Sequence, residues 1–423
     1  MRHHAIPGYR LLLLITGVLT SAVNCPNTGD RESDRESPVL AWYVFAEPSG
    51  AFRGAAKRCS QLAGGRFTLV LKPLPTDADQ QREQLVRRLA AADPDIDIIG
   101  MDVIWTAEFA EAGWILPWPA ASSKRVSMER LSAAVESARY KNRLWAAPFT
   151  SNAQLLWYRS DRVKSPPRIW HELIEKAETF GSPGTLQLQG QRYEGLTVFF
   201  ISLLASAGGS VLDESGSGVA LEEAPTVEVL SLMKKIASSP AADRALATAR
   251  EDQARLAFET GEPTFMVNYP FVWSSSRQNA PKVAAHMAFA RWPSINRHHL
   301  SRIAIGGLNL GVNASARHPG LAFEAAECLA SKANQVIAAK QGGLPPTLET
   351  LYDDPEVRQR FPFADSLRET LREAVLRPRT PVYNDVSLAI SRTLHPMRDI
   401  DPVTDAKRLR KAVARALNSE GLL

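Results

Sequence analysis

The chain has 423 residues, of which 45% are hydrophobic and 22% are charged, and its formal net charge is +5. This length is sufficient for two or three domains, and the composition is that of a folded globular protein rather than a disordered or fibrous one. The basic residues are dispersed among acidic ones, as in REQLVRRLAAADPD, which argues against a nucleic-acid-binding surface.

The N-terminal segment 1–24 has the features of an export signal. Arg2 and Arg10 precede the apolar run LLLLITGVL, which is too short to span a bilayer stably. Cys25 follows, so the segment resembles a bacterial lipoprotein signal and predicts a lipid anchor on Cys25. Ordinary cleavage after Ala22 would instead release a free secreted protein.

Residues 25–37 are polar and highly charged, which is typical of a flexible tether between a membrane and a folded domain. Beyond the signal, Cys59 and Cys328 are the remaining cysteines. In an oxidising compartment two such cysteines usually pair, and a loop of this length gives on the order of 5 kcal/mol of stabilisation in the chain-entropy model. The alternative is two buried free thiols.

Directly after the tether, the chain alternates between strand and helix patterns. This order predicts an α/β layer with a mostly parallel sheet. The third strand is apolar nearly throughout, as expected of a strand covered on both faces, and it ends at Asp102. Ligands bind at this edge of open α/β sheets. The segments are strands 38–46, 66–74 and 96–102 and helices 51–65 and 80–95.

The rest of the chain predicts two extended segments within 144–163 around the polar centre Thr150-Ser151-Asn152, and a short strand at 264–271. A further strand at 302–313 contains a close-approach glycine pair, and the segment 344–423 is predicted mostly helical. Other helices are predicted at 166–180, 193–210, 226–239, 251–263 and 320–340.

The common catalytic and cofactor motifs are absent from the sequence: there is no GxGxxG, P-loop, GxSxG, HExxH or CxxC. No histidines have metal-ligand spacing, so we predict neither a metal nor a cofactor. Nine tryptophans are instead available, several of them beside predicted strand ends. Aromatic rings cover the apolar faces of sugars, while carboxylates and amides meet their hydroxyl rims.

Three stretches carry a family resemblance: QLLWYRSDRVKSPPRIWHELIEKA, ARLAFETGEPTFMVNYPF and MDVIWTAEFAEAGWILP. They resemble the extracellular sugar-binding proteins of ABC importers. TSNAQLLWYR, SAGGSVL, IGGLNL and RPRTPVY are similar, more narrowly, to trehalose-binding lipoproteins of mycobacteria. The resemblance implies an α/β, type II periplasmic-binding-protein-like fold, with a hinge between two lobes and the ligand in the interlobe cleft. The first lobe would span 38–147 and 302–345, and the second lobe would span 148–301 and 346–423.

The resemblance also implies a set of ligand-binding residues. The polar side chains would hydrogen-bond sugar hydroxyls, the aromatic ring would stack on the sugar, and the arginine would brace a carboxylate or donate to sugar oxygens. The aromatic position is tyrosine where the family has tryptophan, and the segment 271–303 is shorter than in the family. Trp105 would line the cleft, whereas Trp114 and Trp118 would pack in the core. The implied ligand-binding residues are Gln81, Asp102, Asn152, Glu251, Tyr269, Gly306, Gly307 and Arg377.

Each polar member of this set apart from Gln81 has a purely structural alternative. Asp102 would cap a helix at 104–112, a role compatible with ligand binding. Glu251 opens a helix and would favour its dipole. Asn152 would satisfy loop backbone, and Arg377 would form a surface ion pair.

The resulting hypothesis is a monomeric binding protein without catalytic chemistry. It would capture a disaccharide, trehalose by resemblance, and deliver it to an ABC permease while anchored to the membrane through Cys25. The alternatives are a secreted glycoside-active enzyme that uses Asp102 and Glu251, which would need two carboxylates flanking one glycosidic bond, and a relative that folds but no longer binds.

Overall fold

A computed structural model describes residues 37–419. The predicted export signal at 1–24, the lipidation site Cys25 and the predicted tether up to residue 36 lie outside the described residues.

Strands and helices alternate at the start of the described chain, as the sequence predicted, and helices dominate its end. The strands are β1 (Val39–Phe45), β2 (Thr68–Leu74), β3 (Ile98–Asp102), β4 (Arg139–Tyr140), β5 (Arg143–Leu144), β6 (Ala146–Asn152), β7 (Leu155–Arg159), β8 (Leu186–Gln187), β9 (Phe265–Asn268), β10 (Met287–Ala290) and β11 (Gly306–Val312). The α-helices are α1 (Ala51–Leu62), α2 (Ala78–Ala90), α3 (Thr106–Glu111), α4 (Ala120–Ser127), α5 (Ser132–Ser137), α6 (Trp170–Glu178), α7 (Glu194–Ser206), α8 (Glu223–Ser238), α9 (Glu251–Glu259), α10 (Phe271–Asn279), α11 (Pro281–Ala284), α12 (Pro319–Leu329), α13 (Lys332–Gly342), α14 (Pro355–Arg360), α15 (Ala364–Arg372), α16 (Tyr383–Leu394) and α17 (Pro402–Leu417). Short 3-10 helices cover Val103–Trp105, Leu246–Thr248, Glu349–Asp353 and Met397–Asp399.

The first sheet has the strand order β2-β1-β3-β11-β6. β1 runs parallel to β2 and β3, as predicted, whereas β11 is antiparallel to both β3 and β6. The sheet is therefore mixed rather than mostly parallel.

The third strand is covered on both faces, as its apolar sequence predicted. Ile98, Ile99 and Met101 have no solvent exposure. A Cβ atom at Gly100 would lie 2.5 Å from Val44 Cγ2, so β1 and β3 come together at a contact that leaves no room for a side chain. The strand ends at Asp102.

The second sheet has the order β10-β7-β9-β8, and helices cover both of its faces. Along β7, Leu156 and Tyr158 join a core cluster with residues of α7, α8, α16 and α17. Leu155 and Trp157 point the opposite way into a cluster with residues of α9, α14 and α15. This alternation follows from the two-residue repeat of an extended strand.

The chain passes from the first sheet to the second through only Ala153 and Gln154, both of which are buried. β6 stays paired with β11 as far as Asn152, which faces Gly306. The predicted lobe boundary after residue 147 thus falls inside β6. The four strands of the second sheet all lie within the predicted range 148–301, and the lobe ranges themselves remain a prediction.

Cys59 of α1 and Cys328 of α12 form the predicted disulfide, with the two sulfur atoms 2.05 Å apart and the Cα atoms 5.9 Å apart. Beside it, Asn334 Nδ2 donates a hydrogen bond to the carbonyl of Cys328 at 2.7 Å. The bond covalently joins segments separated by 269 residues.

Some elements differ from the sequence expectation. The helix predicted at 320–340 is two helices, α12 and α13, separated at Ala330 and Ser331. The helix predicted at 104–112 begins as a 3-10 turn before α3. The segment 271–303, for which no elements were predicted, contains α10, α11 and β10. Among residues 37–419 no helix has the length and hydropathy needed to cross a membrane.

Candidate ligand-binding site

A cavity of about 440 Å³ lies at the carboxyl end of β3, where Asp102 contributes to its wall. The first turns of three helices, α2, α7 and α9, converge on this cavity. The ends of β6 and β9 and the start of β11 complete it. The volume is within the range of about 300–1,000 Å³ that is typical of small-molecule sites.

Carboxylates occupy the first turn of each of these helices. Asp79 lies in α2, Glu194 in α7, and Glu251 and Asp252 in α9. The positive end of a helix dipole stabilises a negative charge at this position, which explains why the sequence places acids there. The same helix ends present backbone N–H groups without helical partners, so the cavity offers both donors and acceptors.

A buried arginine forms the floor of the cavity. Arg377, which is 7% exposed, donates from Nη1 to Glu194 at 2.8 Å and from Nη2 to Asp102 at 2.9 Å. Burial alone would lower the pKa of Arg377, but the charges of Asp102 and Glu194 outweigh burial and raise it. The guanidinium is therefore charged and holds together carboxylates from β3 and α7.

Glu194 is held by further donors. The hydroxyls of Tyr383 and Ser387, both on α16, donate to its carboxylate. Burial nevertheless raises the pKa of Glu194, although the charge of Arg377 and these hydrogen bonds oppose the shift. The floor, formed by Asp102, Glu194 and Arg377, thus joins β3 of the first sheet to α7, which packs in the same core as strands of the second sheet.

Asp102 caps a turn, as its sequence position allowed, and it also lines the cavity. Its Oδ1 accepts a hydrogen bond from the backbone N–H of Ile104 at 3.1 Å, which caps the 3-10 turn, and the same atom accepts from Arg377. The side chain is 26% exposed, so it lies at the cavity surface while serving as a cap.

The aromatic surface of the cavity consists of tyrosines. Tyr193 and Tyr269 line it, and burial raises the pKa of each hydroxyl, assisted by the nearby charge of Glu251. None of the nine tryptophans lines it. The expectation for Trp105 is wrong: this residue is 2% exposed and stacks on Phe109 with ring centroids 5.8 Å apart, because the 3-10 turn directs its side chain into the core.

Asn268, at the end of β9, fixes the position of two cavity residues. Its Nδ2 donates to the carbonyl of Glu251 at 2.9 Å, and its Oδ1 accepts from the backbone N–H of Tyr269 at 2.9 Å. A single fully buried side chain thereby sets the start of α9 against the end of β9. Burial raises the pKa of the Glu251 carboxyl.

Two buried polar atoms of cavity residues, Oδ1 of Asn152 and Nε of Arg377, have no hydrogen-bond partner within residues 37–419. The hydroxyl of Tyr193 instead interacts with the carboxyl group of Glu251. Buried polar atoms are nearly always paired, so unpaired ones in one cavity point to a polar ligand that supplies the partners.

The two glycines of the pair, Gly306 and Gly307, differ in the space around them. Gly307 has φ of 132°, and a Cβ atom there would lie 2.2 Å from the carbonyl oxygen of Thr150. At Gly306 a Cβ atom would make only an ordinary contact of 3.5 Å with Asn152. The close approach predicted from the sequence therefore belongs to Gly307.

At the more exposed end of the cavity, Asp77 and Arg250 form an ion pair with Oδ2 and Nη1 2.8 Å apart. Asp77 also caps α2 by accepting from the backbone N–H of Gln80 at 3.0 Å. Burial by itself would raise the pKa of Asp77, but this hydrogen bond and Arg250 outweigh burial and lower it. Both partners line the cavity.

The structure brings together seven of the eight ligand-binding residues implied by the sequence. Gln81 is the exception: it is 6% exposed, lies outside the cavity lining, and its amide donates to the carbonyl of Thr76 at 3.2 Å. It supports the loop before α2 instead. The seven that line the cavity are Asp102, Asn152, Glu251, Tyr269, Gly306, Gly307 and Arg377.

Sequence reasoning missed Asp77, Asp79, Tyr193, Glu194 and Arg250, all of which line the cavity. Asp77 could have been found by the rule that also pointed to Asp102, namely that ligands bind at the carboxyl ends of the strands in open α/β sheets. β2 is parallel to β1 in the same sheet as β3, so residues just after β2 share that sheet edge, and Asp77 stands there. No comparable local signal marks the other four. Among the described residues, no group of three or more His, Cys, Asp or Glu side chains is arranged to hold a metal ion.

Comparison with known proteins identifies the family. Residues 70–336 match the family model described as bacterial extracellular solute-binding protein. The chain belongs to this family. A probable ABC transporter-binding protein of Deinococcus radiodurans is 29% identical over 347 residues, which is 78% of this chain and 81% of the relative.

Several solved structures have a similar fold. Maltose-bound MalE3 of T. maritima has a TM-score of 0.79 and 27% identity, with 89% of this chain and 98% of that chain covered. The GacH receptor of Streptomyces glaucescens GLA.O, solved unliganded and with acarbose, has a TM-score of 0.79 and 20% identity over 90% of this chain and 99% of that one. A solute-binding protein of Thermotoga lettingae with bound α-D-tagatose has a TM-score of 0.74 and 19% identity, covering 90% and 100%.

The fold is therefore that of the type II periplasmic binding proteins, as predicted. The protein is a bacterial extracellular solute-binding protein, and its family consists of binding proteins rather than enzymes.

Proposed function

We propose that this solute-binding protein captures a disaccharide, and specifically trehalose, in the cavity bounded by α2, α7 and α9, and delivers it to the membrane permease of an ABC importer. The observation that carries the proposal is a carboxylate-rich cavity whose lining residues Asn152 and Arg377 each keep one polar atom without a partner among residues 37–419. Trehalose is named because of the sequence similarity to the mycobacterial trehalose-binding lipoprotein LpqY.

The chemistry of the lining suits a neutral sugar. Asp79, Glu251 and Asn152 offer acceptors for hydroxyl donors, and the helix N-termini and Arg377 offer donors in return. Tyr193 and Tyr269 supply ring surface for the apolar faces of the sugar, and Tyr269 stands where the family resemblance led us to expect a tryptophan.

Isothermal titration of the exported chain with trehalose, maltose and glucose tests the proposal. We expect trehalose to bind more tightly than the other two sugars, and Asn152→Ala to weaken trehalose binding because it removes an unpaired acceptor from the cavity wall. A wild-type chain that binds maltose but not trehalose would reject trehalose while leaving sugar capture intact. Release of glucose from trehalose would favour the glycoside-active alternative with Asp102 and Glu251, and silence towards every sugar would favour a relative that no longer binds.

The membrane anchor is a separate part of the proposal. Cys25 would be lipidated after removal of the segment 1–24, and the segment 25–37 would tether a monomeric sugar-binding domain near its permease. Metabolic labelling with palmitate, followed by separation of membrane and soluble fractions, tests this, with Cys25→Ala as the comparison. Equal membrane retention of the wild type and the variant would contradict the anchor.

A further inference from the structure

The ion pair between Asp77 and Arg250, called here the rim bridge, connects the start of α2 with the start of α9. Asp77 follows β2 of the first sheet and caps α2. Arg250 immediately precedes α9, which packs against β9 of the second sheet. Both residues line the cavity, so the 2.8 Å contact between them joins the start of α2 to the start of α9 at the cavity wall.

Both partners of the rim bridge are held in place by additional contacts. Arg250 donates from Nε to Oε1 of Gln191 at 2.8 Å, and its Cζ lies 4.6 Å from the ring centroid of Tyr193. Asp77 is fixed by its hydrogen bond from Gln80. Exposed ion pairs are usually weakened by the entropy lost in ordering two long side chains, and here the other contacts already order them.

We infer that the rim bridge limits the length of the saccharide that the cavity accepts, so that a disaccharide fits and one further glycosyl unit at this end is excluded. The inference rests on the proposed function. A ligand that extends past the bridge would have to move Arg250 away from Asp77, Gln191 and Tyr193 together, whereas a ligand contained by the cavity leaves all three contacts intact.

The test is a comparison of affinities by isothermal titration for trehalose and for trehalose extended by one α-glucosyl unit, with maltose and maltotriose run in parallel. The wild type should bind the disaccharide at least tenfold more tightly than its trisaccharide. Arg250→Ala should reduce this ratio below threefold. Asp77→Asn keeps a good helix cap but removes the charge, and should reduce the ratio less. Because the ratio divides the affinity for the disaccharide by that for the trisaccharide, a loss that affects both sugars equally leaves it unchanged.

Arg88 provides a matched control. It pairs with Asp93 at 2.6 Å and its Cζ lies 4.5 Å from the ring centroid of Tyr43, in an environment of similar exposure but away from the cavity. Arg88→Ala should leave the ratio at its wild-type value. If Arg250→Ala leaves the ratio of disaccharide to trisaccharide affinity unchanged, or if the wild type binds both lengths equally, the inference is wrong while the proposed function stands. A wild type that binds none of the four sugars would defeat the proposed function and the inference with it.

Discussion

At the scale of single residues, the arginine in the floor of the cavity compensates the charge of two carboxylates. Arg377 is buried with two carboxylates, Asp102 and Glu194, whose side chains are 26% and 17% exposed. One guanidinium cannot neutralise two full charges, so the hydroxyl donors of Tyr383 and Ser387 complete the stabilisation of Glu194. The surface ion pair that sequence reasoning allowed for Arg377 is thus a buried one, with correspondingly larger consequences.

Replacing Arg377 by methionine should destabilise the protein by about 3–5 kcal/mol, because it leaves two partly buried carboxylates without a cation. Urea denaturation measures the change in the free energy of unfolding. Arg125, whose pair with Glu327 is exposed, is the control: Arg125→Met should change the free energy of unfolding far less than Arg377→Met does. Equal losses in the two variants would show that Arg377 has no special structural role.

Glu251 should make stability depend on pH. Burial raises its pKa above the ordinary value of 4.5, so the folded state holds a proton that the unfolded state has already released, and stability falls as pH rises from 4.5 through the raised pKa. Glu251→Gln removes this cost. The free energy of unfolding of the variant minus that of the wild type should therefore be larger at pH 7 than at pH 4. Urea denaturation of both proteins at both pH values measures this difference.

The same variant should bind trehalose about 10- to 100-fold more weakly at pH 7, since an amide with one acceptor oxygen replaces a carboxyl group with two. Glu262→Gln, at an exposed position beyond α9, serves as the control and should change neither quantity appreciably. A Glu251→Gln protein that loses stability at pH 7 while keeping its affinity would contradict both expectations.

At the scale of secondary-structure elements, the junction of β6 and β11 depends on one glycine. Gly307→Ala should cost about 2 kcal/mol or more, since alanine would adopt a left-handed φ and its Cβ would collide with the Thr150 carbonyl oxygen. The neighbouring Gly306→Ala should stay within about 0.5 kcal/mol of wild type. Thermal unfolding of the two variants measures the difference, and similar melting temperatures would contradict this assignment.

Elements were predictable where a local pattern decides them. The apolar run before Asp102 predicted β3 and its burial, and α9 begins at Glu251 where the amphipathic pattern begins. The position of Trp105 was not predictable, since a 3-10 turn and a regular helix direct this side chain differently and share the same sequence signals. Arg250 was equally invisible, because its function depends on Asp77, 173 residues earlier in the chain.

At the scale of the whole molecule, the disulfide should contribute strongly to stability and little to binding. Replacing both Cys59 and Cys328 by alanine should lower the free energy of unfolding by as much as about 5 kcal/mol in the chain-entropy model. Neither residue lines the cavity, so the dissociation constant for trehalose should be unchanged. Unfolding and titration on the same preparation separate the two quantities, and a loss of affinity that exceeds the unfolded fraction would contradict the separation.

The two-lobe class was predictable from family-like stretches spread along the chain, but the mixed pairing of the first sheet was not. β3 and its partner β11 are separated in sequence by all four strands of the second sheet, and nothing local to either strand fixes its direction. Some residues that line the cavity could be predicted from the sequence, and others could not. Asp102 could be placed there from the end of its strand alone, whereas Tyr193 and Glu194 reach the cavity through the packing of α7 and were missed.

The disulfide also determines how the molecule responds to a cut chain. The span between Cys59 and Cys328 contains all four strands of the second sheet and the β6–β7 crossing. A protease that cleaves once anywhere in this span yields two pieces that remain covalently joined. Such a nicked molecule migrates as two fragments only after reduction, and before reduction it retains every segment that builds the cavity.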